Sequence, residues 1–155
     1  MRIFTLLVTV LAACGGSAGG EELVSGGVSG AYKGSAFTPM FGYATTYKQS
    51  SDTEAVSLIG LGTDGIHCGS EKSSSPPGGS GIIISNFNYV TGDSTPFVQI
   101  FRNSGGYNSY GSTGMLKLTD VNDDTVSGTV DFDDTDAMND TYAAHGDFVV
   151  TRCPQ

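Results

Sequence analysis

The sequence predicts an all-β protein, folded as an antiparallel β-sandwich or a small β-barrel of about eight or nine strands. Apolar and polar residues alternate over most of the chain, which is the pattern of strands that bury one face. Gly, Pro, Asn or Asp interrupts this alternation at short intervals, as expected for turns between short strands. The chain has 155 residues, a length that suits one domain with a substantial core.

The first half of the chain contains five predicted strands separated by turn residues. They span residues 28–33, 36–47, 54–61, 66–68 and 82–84, and residues 71–81 are predicted to form a loop. Tyr43 and Tyr47 share one face of the second strand, because side chains alternate along a strand. The apolar run at residues 82–84 favours a strand buried on both faces. Residues 51–54 have the spacing of a helix capping box, so a two-turn helix is the alternative for residues 54–61.

The second half contains four predicted strands, at residues 96–102, 115–119, 126–132 and 148–153. In the third of these, Val126, Val130 and Phe132 point inward, and the residues between them point outward. Residues 103–113 are rich in Gly, Ser and Tyr and are predicted to form a loop. A single helical turn is possible within residues 134–144, and nothing else in this half indicates a helix.

The N-terminal segment has the organisation of an export signal. Arg2 precedes an uncharged run at residues 3–13. This run is too short to span a bilayer, which requires about 20 apolar residues, and it suits the apolar region of a signal peptide. The residues Leu11-Ala12-Ala13-Cys14 that end this run resemble the lipobox of bacterial lipoproteins. The resemblance implies cleavage before Cys14 and acylation of Cys14, and two or three acyl chains anchor a protein stably. The alternative is a plain signal peptide that ends at an unmodified cysteine.

The rest of the domain organisation follows from this resemblance. Residues 1–13 are the predicted signal peptide, residues 14–27 the lipidated cysteine with a flexible Gly/Ser tether, and residues 28–155 a single all-β domain. Residues 126–132 and 146–153 also resemble the closing strands of small, mostly uncharacterised bacterial lipoproteins. The resemblance implies a lipid-anchored location in the cell envelope. Gly15 after the cysteine, rather than Asp, favours the outer membrane over the inner membrane.

The cysteine count agrees with lipidation. The chain has three cysteines, Cys14, Cys68 and Cys153, and an odd number in an exported protein leaves one thiol to explain. If Cys14 is acylated, Cys68 and Cys153 remain as a pair, and an oxidising envelope compartment favours a disulfide between them. Such a bond would stabilise the fold by roughly 4–5 kcal/mol on the chain-entropy model. The alternative is two separate buried thiols.

The charge of the chain argues against two kinds of partner. Sixteen acidic residues stand against seven basic ones, and the net charge of −9 falls to −10 when Arg2 leaves with the signal peptide. A chain this acidic is not expected to bind nucleic acid or to dock directly on anionic lipid. The predicted partners are therefore the bilayer, through acylated Cys14, and an envelope protein or glycan.

Tyr107 and Tyr110 are the candidate binding residues. Both lie in the predicted loop at residues 103–113, and tyrosine offers a flat apolar face with a polar tip for a sugar or peptide. Loops on a rigid β scaffold often carry recognition, so these two residues are predicted to form a binding tip. The alternative is that they are ordinary half-buried strand tyrosines.

A calcium ion is the one cofactor that the sequence suggests. Asp120, Asn122 and Asp124 place oxygen ligands at alternate positions, which resembles the start of a calcium loop. Thr125 stands where such loops require Gly, and the late Glu ligand is absent, so a polar turn between strands is the alternative. Further acidic residues, at positions 131, 133, 134 and 136, could bind calcium weakly or form a solvated loop.

No catalytic constellation is predicted. His145 lies eight residues before Cys153, about 26 Å along an extended strand, so His67 beside Cys68 is not expected to share a site with it. No nucleophile motif or phosphate-binding loop occurs. The sequence therefore predicts a non-catalytic, membrane-anchored envelope lipoprotein that binds a partner or has a structural role. A calcium-stabilised, adhesion-type β module is the alternative.

Overall fold

The structure is a computed structural model, and it describes residues 23–48, 55–64, 66–70 and 78–154. Within these ranges the chain forms strands and turns and no helix. The strands are β1 (Ser29–Tyr32), β2 (Ser35–Phe37), β3 (Phe41–Lys48), β4 (Ala55–Gly62), β5 (Gly79–Ser85), β6 (Gly92–Ser94), β7 (Phe97–Asn103), β8 (Tyr107–Thr113), β9 (Met115–Val121), β10 (Thr125–Thr135) and β11 (Thr141–Arg152). The predicted signal peptide, Cys14, the capping box at residues 51–54 and most of the predicted loop at residues 71–81 lie outside the described residues. The described part of the chain contains no helix that could cross a membrane.

All eleven strands belong to one curved sheet that forms a half-barrel. The strand order is β6-β9-β10-β11-β3-β4-β5-β7-β8, with β1 beside β11 and β2 beside β1. The all-β prediction is thereby confirmed. Nine strands form the continuous path of the sheet, in agreement with the predicted number, and β1 and β2 lie off this path. The predicted antiparallel arrangement is wrong for one pair, because β3 pairs with β11 in parallel.

The length of β11 explains the parallel pairing. β11 has twelve residues and is longer than β1 and β3, the two strands that pair with the edge of β11 opposite β10. β1 occupies that edge at residues 142–145, and β3 occupies it only at Thr151 and Arg152. The local sequence signals antiparallel hairpins, whereas this contact joins segments that are far apart in the chain.

The concave face of the sheet holds the main core. In β10, Val126, Val130 and Phe132 are buried, as the alternation predicts. β11 adds Phe148 and Val150 to the same core. β5 and β7 pack across the core against β1, and they contribute with β4 the fully buried residues Ile59, Leu61, Ile82, Ile84, Val98 and Ile100.

The opposite face is also covered in one part of the sheet. Tyr43, Leu58 and Phe101 point to this face and form a second buried cluster with Ile66 and Cys153. Ile83 packs against the same cluster, whereas its neighbours Ile82 and Ile84 face the main core. β5 therefore buries side chains on both faces, as its continuous apolar run predicts.

A short turn covers this second cluster. The predicted strand at residues 66–68 is wrong, because Ser70 donates its backbone N–H to the carbonyl of His67 at 2.9 Å and the segment turns. The side chain of Ile66 lies against Gly62, and a Cβ atom at that glycine would meet Ile66 at 2.6 Å. The segment thus packs on the sheet as a cover instead of extending it.

Three further predicted elements differ from the structure. The predicted loop at residues 103–113 contains β8, which pairs with β7 from Tyr107 to Thr113. The predicted strand at residues 36–47 is divided into β2 and β3 around Pro39, which has no N–H for a ladder. The helical turn within residues 134–144 does not form. Asp136 instead closes a tight turn by accepting hydrogen bonds from the backbone N–H groups of Met138 and Asp140.

Candidate functional sites

The first site is the disulfide between Cys68 and Cys153. The two sulfur atoms are bonded, and the Cα atoms lie 5.5 Å apart. The bond joins the turn at residues 66–70 to the chain directly after β11, and it lies beside the second buried cluster. The predicted pairing is therefore present, and it does not involve Cys14, which lies outside the described residues.

The candidate binding residues Tyr107 and Tyr110 do not form a common tip. They lie in strand β8, three residues apart, so their side chains point to opposite faces of the sheet. The ring of Tyr107 stacks on Phe101 at 5.6 Å and remains partly exposed. Partial burial raises the pKa of Tyr107. A surface that uses both rings together is excluded by this geometry, but a binding role for Tyr107 remains a prediction.

Tyr110 belongs to an aromatic seam on the concave side. Its ring stacks on Tyr142 with centroids 4.2 Å apart, and Tyr142 meets Tyr32 edge to face at 5.4 Å. The guanidinium of Arg102 lies 5.4 Å from the centre of the Tyr32 ring, within the range of a cation–π contact. This seam connects β8 and β7 with β11 and β1, which are distant in the sheet order.

Two carboxylates, those of Asp134 and Asp136, accept hydrogen bonds from hydroxyl groups in and beside the seam. Ser112 donates a hydrogen bond of 2.5 Å to Asp134, and Tyr142 donates one of 2.9 Å to Asp136. The hydrogen bond from Ser112 is the main reason that the pKa of Asp134 is lowered. Burial alone would raise the pKa of Asp136, but hydrogen bonds from Asp140 and Tyr142 outweigh it and lower the value. Both carboxylates are therefore held in the charged form.

Asn122 and Asp124 lie in the turn between β9 and β10, and Asp120 lies near the end of β9. The side-chain oxygen of Asn122 accepts the backbone N–H groups of Asp124 at 2.9 Å and Thr125 at 2.8 Å. The amide nitrogen of Asn122 donates to Asp120 at 2.8 Å. These contacts are those of a polar Asx-type turn, and they already occupy the Asn122 oxygen that a calcium ion would need. Calcium binding at this turn stays a prediction.

Another candidate site lies on the convex face of the β10–β11 hairpin. His145 stands directly opposite Asp131, and Asp133 is the diagonal neighbour two residues further along β10. The Nδ1 atom of His145 lies 2.8 Å from Asp131, and its Nε2 atom lies 3.1 Å from Asp133. Both ring nitrogens therefore face a carboxylate, and a protonated imidazole can donate to both.

The electrostatics of this Asp–His–Asp group follow from its neighbours. Burial by itself would lower the pKa of His145, but the hydrogen bonds and charges of Asp131 and Asp133 outweigh it and raise the value. The ligand atoms of the three residues lie within 4.8 Å of one another, so together they could hold a divalent cation. The group is solvent-exposed, and water screens its charges.

The sequence signal for this group lies in the register of the whole β10–β11 hairpin and not in any single strand. The tight turn at residues 136–140 sets Thr135 opposite Thr141, and counting back along the hairpin places Asp131 opposite His145. The prediction that His67 and His145 do not share a site agrees with their positions. His67 contacts Ser70 in the covering turn, whereas His145 lies in the β10–β11 hairpin.

A shallow depression of about 210 Å³ borders the Asp–His–Asp group. It lies between β6, β9 and β10 and is lined by Asp93, Met115, Leu116, Lys117, Thr129 and Asp131. Asp131 is the residue that the depression and the Asp–His–Asp group share. The depression is open to solvent and lined by both charged and apolar side chains, and it does not form an enclosed pocket for a small molecule.

Comparisons with known proteins add no assignment to these sites. No protein-family model matches the chain, and neither the curated proteins nor the solved structures include one that matches it. The geometry of the chain and its sequence motifs therefore carry the functional argument.

Proposed function

We propose that this chain is a bacterial envelope lipoprotein, anchored to the bilayer through acylated Cys14, whose β domain is a non-catalytic binding or structural module. The observation that carries the proposal concerns the cysteines. The disulfide uses Cys68 and Cys153, so the third cysteine is the one that ends the lipobox-like sequence Leu11-Ala12-Ala13-Cys14. A long-range disulfide also suits an oxidising compartment outside the cytoplasm.

The non-catalytic part of the proposal rests on the state of the carboxylates. A general acid needs a raised pKa, which usually comes from a dry site. The pKa values of Asp134 and Asp136 are instead lowered, and both residues are committed to hydrogen bonds in the seam. Asp131 and Asp133 are largely exposed to water. These features support charge pairing and recognition better than acid–base chemistry.

The proposed architecture of the module is a small barrel and not a sandwich. The seam of Tyr110, Tyr142 and Tyr32 joins β8 to β11 and β1 through side chains, where the strand order leaves the sheet open. Ser112 and Asp134 add a hydrogen bond between β8 and β10. We infer that these side chains do what a closing ladder does in a complete barrel.

The proposed partner is an envelope protein or an envelope glycan, in the outer membrane rather than the inner membrane. Tyr107 supports a binding role because its ring stacks on Phe101 and is still partly exposed. Purified peptidoglycan is a suitable first probe. If Tyr107 binds it, Tyr107→Ala weakens co-sedimentation and Tyr107→Phe largely retains it. Equal sedimentation of all three proteins would remove Tyr107 from the proposal.

The calcium-stabilised module is a second and weaker candidate. A calcium ion at Asp120 and Asp124 would compete with the turn hydrogen bonds of Asn122. The test is the melting temperature with and without millimolar calcium. A rise that Asp120→Ala and Asp124→Ala abolish would support this candidate, and an unchanged melting temperature would remove it.

The anchor is tested by the intact mass of the protein extracted from the envelope, before and after reduction. The expected mass is that of residues 14–155 plus acyl chains, with two hydrogens gained on reduction of the Cys68–Cys153 bond. Cys14→Ala is the matched variant and should carry no acyl chains. An unacylated mass for the wild type would contradict the anchor, and soluble extracellular ligands would then become the partners to seek.

A further inference from the structure

The end of the domain at which the N-terminal segment joins the sheet exposes several apolar side chains. The segment runs between β3 and β11, with Leu23 paired to Phe41 and Ser25 paired to Val149. The backbone N–H of Val24 donates to the carbonyl of Met40 at 2.9 Å. These pairings place the exposed residues Leu23, Met40 and Val149 on neighbouring segments at one end of the domain, and we call the three residues the entry patch.

The side chains of the entry patch are accessible to solvent. Leu23 is 72% exposed, Met40 53% and Val149 37%. Residues paired directly across a ladder share a face, as do residues two apart in a strand. Leu23 and Val149 therefore lie on the same convex face, with Phe41 beside Leu23. A contiguous exposed apolar surface commonly marks a contact with another protein or a membrane.

We propose that the entry patch rests on the lipid bilayer and orients the domain on the membrane; this inference depends on the proposed acylation of Cys14. Nine residue steps separate Cys14 from Leu23, and a fully extended chain of that length spans at most about 30 Å. The entry patch is thus confined near the acyl chains, at a high effective concentration relative to the bilayer. A weak apolar contact is sufficient under that constraint.

The charges at this end of the domain specify the kind of lipid surface. Thr125 at the start of β10 pairs with Thr151, so the β9–β10 turn with its exposed Asp123 and Asp124 lies at the same end as Val149. Negative charges repel anionic headgroups. The entry patch is therefore expected to contact zwitterionic lipid through its apolar atoms, without electrostatic attraction.

The opposite end of the domain provides a matched control. Met138 lies in the β10–β11 turn and is 75% exposed. From Thr141 to Val149, β11 extends over about 26 Å, so the control position is well separated from the entry patch. The chain contains no tryptophan. A single Met40→Trp or Met138→Trp substitution therefore introduces one fluorescent reporter at either end.

The experiment uses the full-length acylated protein in phosphatidylcholine vesicles that contain a brominated lipid. Flotation first shows whether the protein is bound to the vesicles. We expect Met40→Trp to be quenched by the brominated lipid several-fold more than Met138→Trp and to emit at shorter wavelength. Leu23→Trp is a second reporter in the entry patch, in case Met40→Trp does not fold.

Each other outcome contradicts the inference in a distinct way. If the protein floats but both reporters are quenched equally, the anchor is present and the entry patch does not rest on lipid. If Met40→Trp is shielded from aqueous acrylamide but not quenched by brominated lipid, polypeptide covers the patch, from this chain or a second copy. If the wild type carries no acyl chains and does not float, the anchor fails, and this inference fails with it.

Discussion

The strands β9, β10 and β11 bury one face, whereas β4, β5 and β7 bury side chains on two. In β10 every second residue is buried and the residues between are exposed or half-buried. In β7, Val98 and Ile100 face the main core, and Phe101 is equally buried on the other side. The covering turn at residues 66–70 and the disulfide account for the difference, because they lie over only one part of the convex face.

This difference shows how a small domain can enlarge its core. One sheet face of a half-barrel supplies a single core, and a domain of this size gains little more from it. The turn that carries Ile66 and Cys68 adds a second layer at the cost of a few residues. The disulfide ties this layer to the chain directly after β11.

The largest expected effect is the loss of an aromatic ring from the doubly buried half. Phe101→Ala should lower the free energy of unfolding by about 3–5 kcal/mol, because the ring is fully buried beneath the covering turn. Phe97→Ala is the matched control, since Phe97 lies on the same strand and face but is 40% exposed. The expected loss of unfolding free energy for Phe97→Ala is less than about half of that for Phe101→Ala. Urea unfolding measures both, and equal losses would show that the turn does not bury Phe101 in solution.

The next effect is the loss of the disulfide. The double substitution Cys68→Ser and Cys153→Ser should lower the free energy of unfolding by about 2–5 kcal/mol. A reductant should destabilise the wild type similarly and leave the double variant unchanged. Because the bond holds the cover over Phe101, Phe101→Ala should cost less in the double-serine background. Strict additivity would mean that the disulfide and the second cluster act independently.

A smaller effect is expected at the aromatic seam, which we propose closes the half-barrel. The pKa of Asp134 lies below its ordinary value of 3.8, mainly through the hydrogen bond from Ser112. Its stabilising contribution is therefore present above pH 3.8 and is lost as the pH falls through the lowered folded-state pKa. Asp134→Asn should lower the melting temperature at neutral pH, and the difference from wild type should narrow in acid.

Asp123→Asn is the control for the seam, since Asp123 lies in the exposed β9–β10 turn. It should leave the melting temperature close to that of the wild type at every pH. A melting temperature for Asp134→Asn that equals that of Asp123→Asn at neutral pH would contradict the role of Asp134 in closing the half-barrel.

The smallest effect is expected on the exposed face, at His145. Its pKa is raised above 6.5 because hydrogen bonds and charges from Asp131 and Asp133 outweigh burial. Stability from this pairing is fully present below the unfolded pKa of 6.5 and is lost as the pH rises through the raised folded-state pKa. The His145 side chain is 43% exposed, so the contribution should not exceed about 1 kcal/mol, and salt should reduce it.

The measurement for His145 is the unfolding free energy at about pH 5.5 and about pH 8.5 for wild type and His145→Gln. The wild type should hold its advantage at the lower pH and lose it at the higher one. Asp131→Asn should reduce the pH dependence without removing it, because Asp133 still faces Nε2. If the excess unfolding free energy of the wild type over His145→Gln instead grew with pH, the pH dependence would have the opposite sign. The pairing of His145 with Asp131 and Asp133 could then not be its source.

The sequence predicts local features of this protein better than their assembly. The inward positions of Val126, Val130 and Phe132 follow from strand geometry, and the structure confirms them. The predicted pairing of Cys68 with Cys153 is also confirmed. By contrast, the sequence predicts a loop in place of β8, because the Gly, Ser and Asn residues of β8 are typical of loops. The ladder with β7 outweighs the weak strand propensity of these residues.

The candidate sites show the same division. Tyr107 and Tyr110 were predicted to act together, but as strand residues three apart they face opposite sides. The turn at Asn122 was among the alternatives, since Asn and Asp favour local backbone hydrogen bonds. The Asp–His–Asp group could be obtained only by counting the register of the β10–β11 hairpin, which requires knowing where its turn closes.

The sequence by itself determined the all-β class, the alternation of the C-terminal strands and the motif that predicts lipidation at Cys14. These depend on residues close together in the chain, where periodicity and turn chemistry act directly. Only the tertiary structure decided the half-barrel, the parallel contact of β3 with β11, the second buried cluster and the partners of His145. Each of these depends on contacts between distant segments, and the free energy of burying their side chains together is not encoded in any single segment.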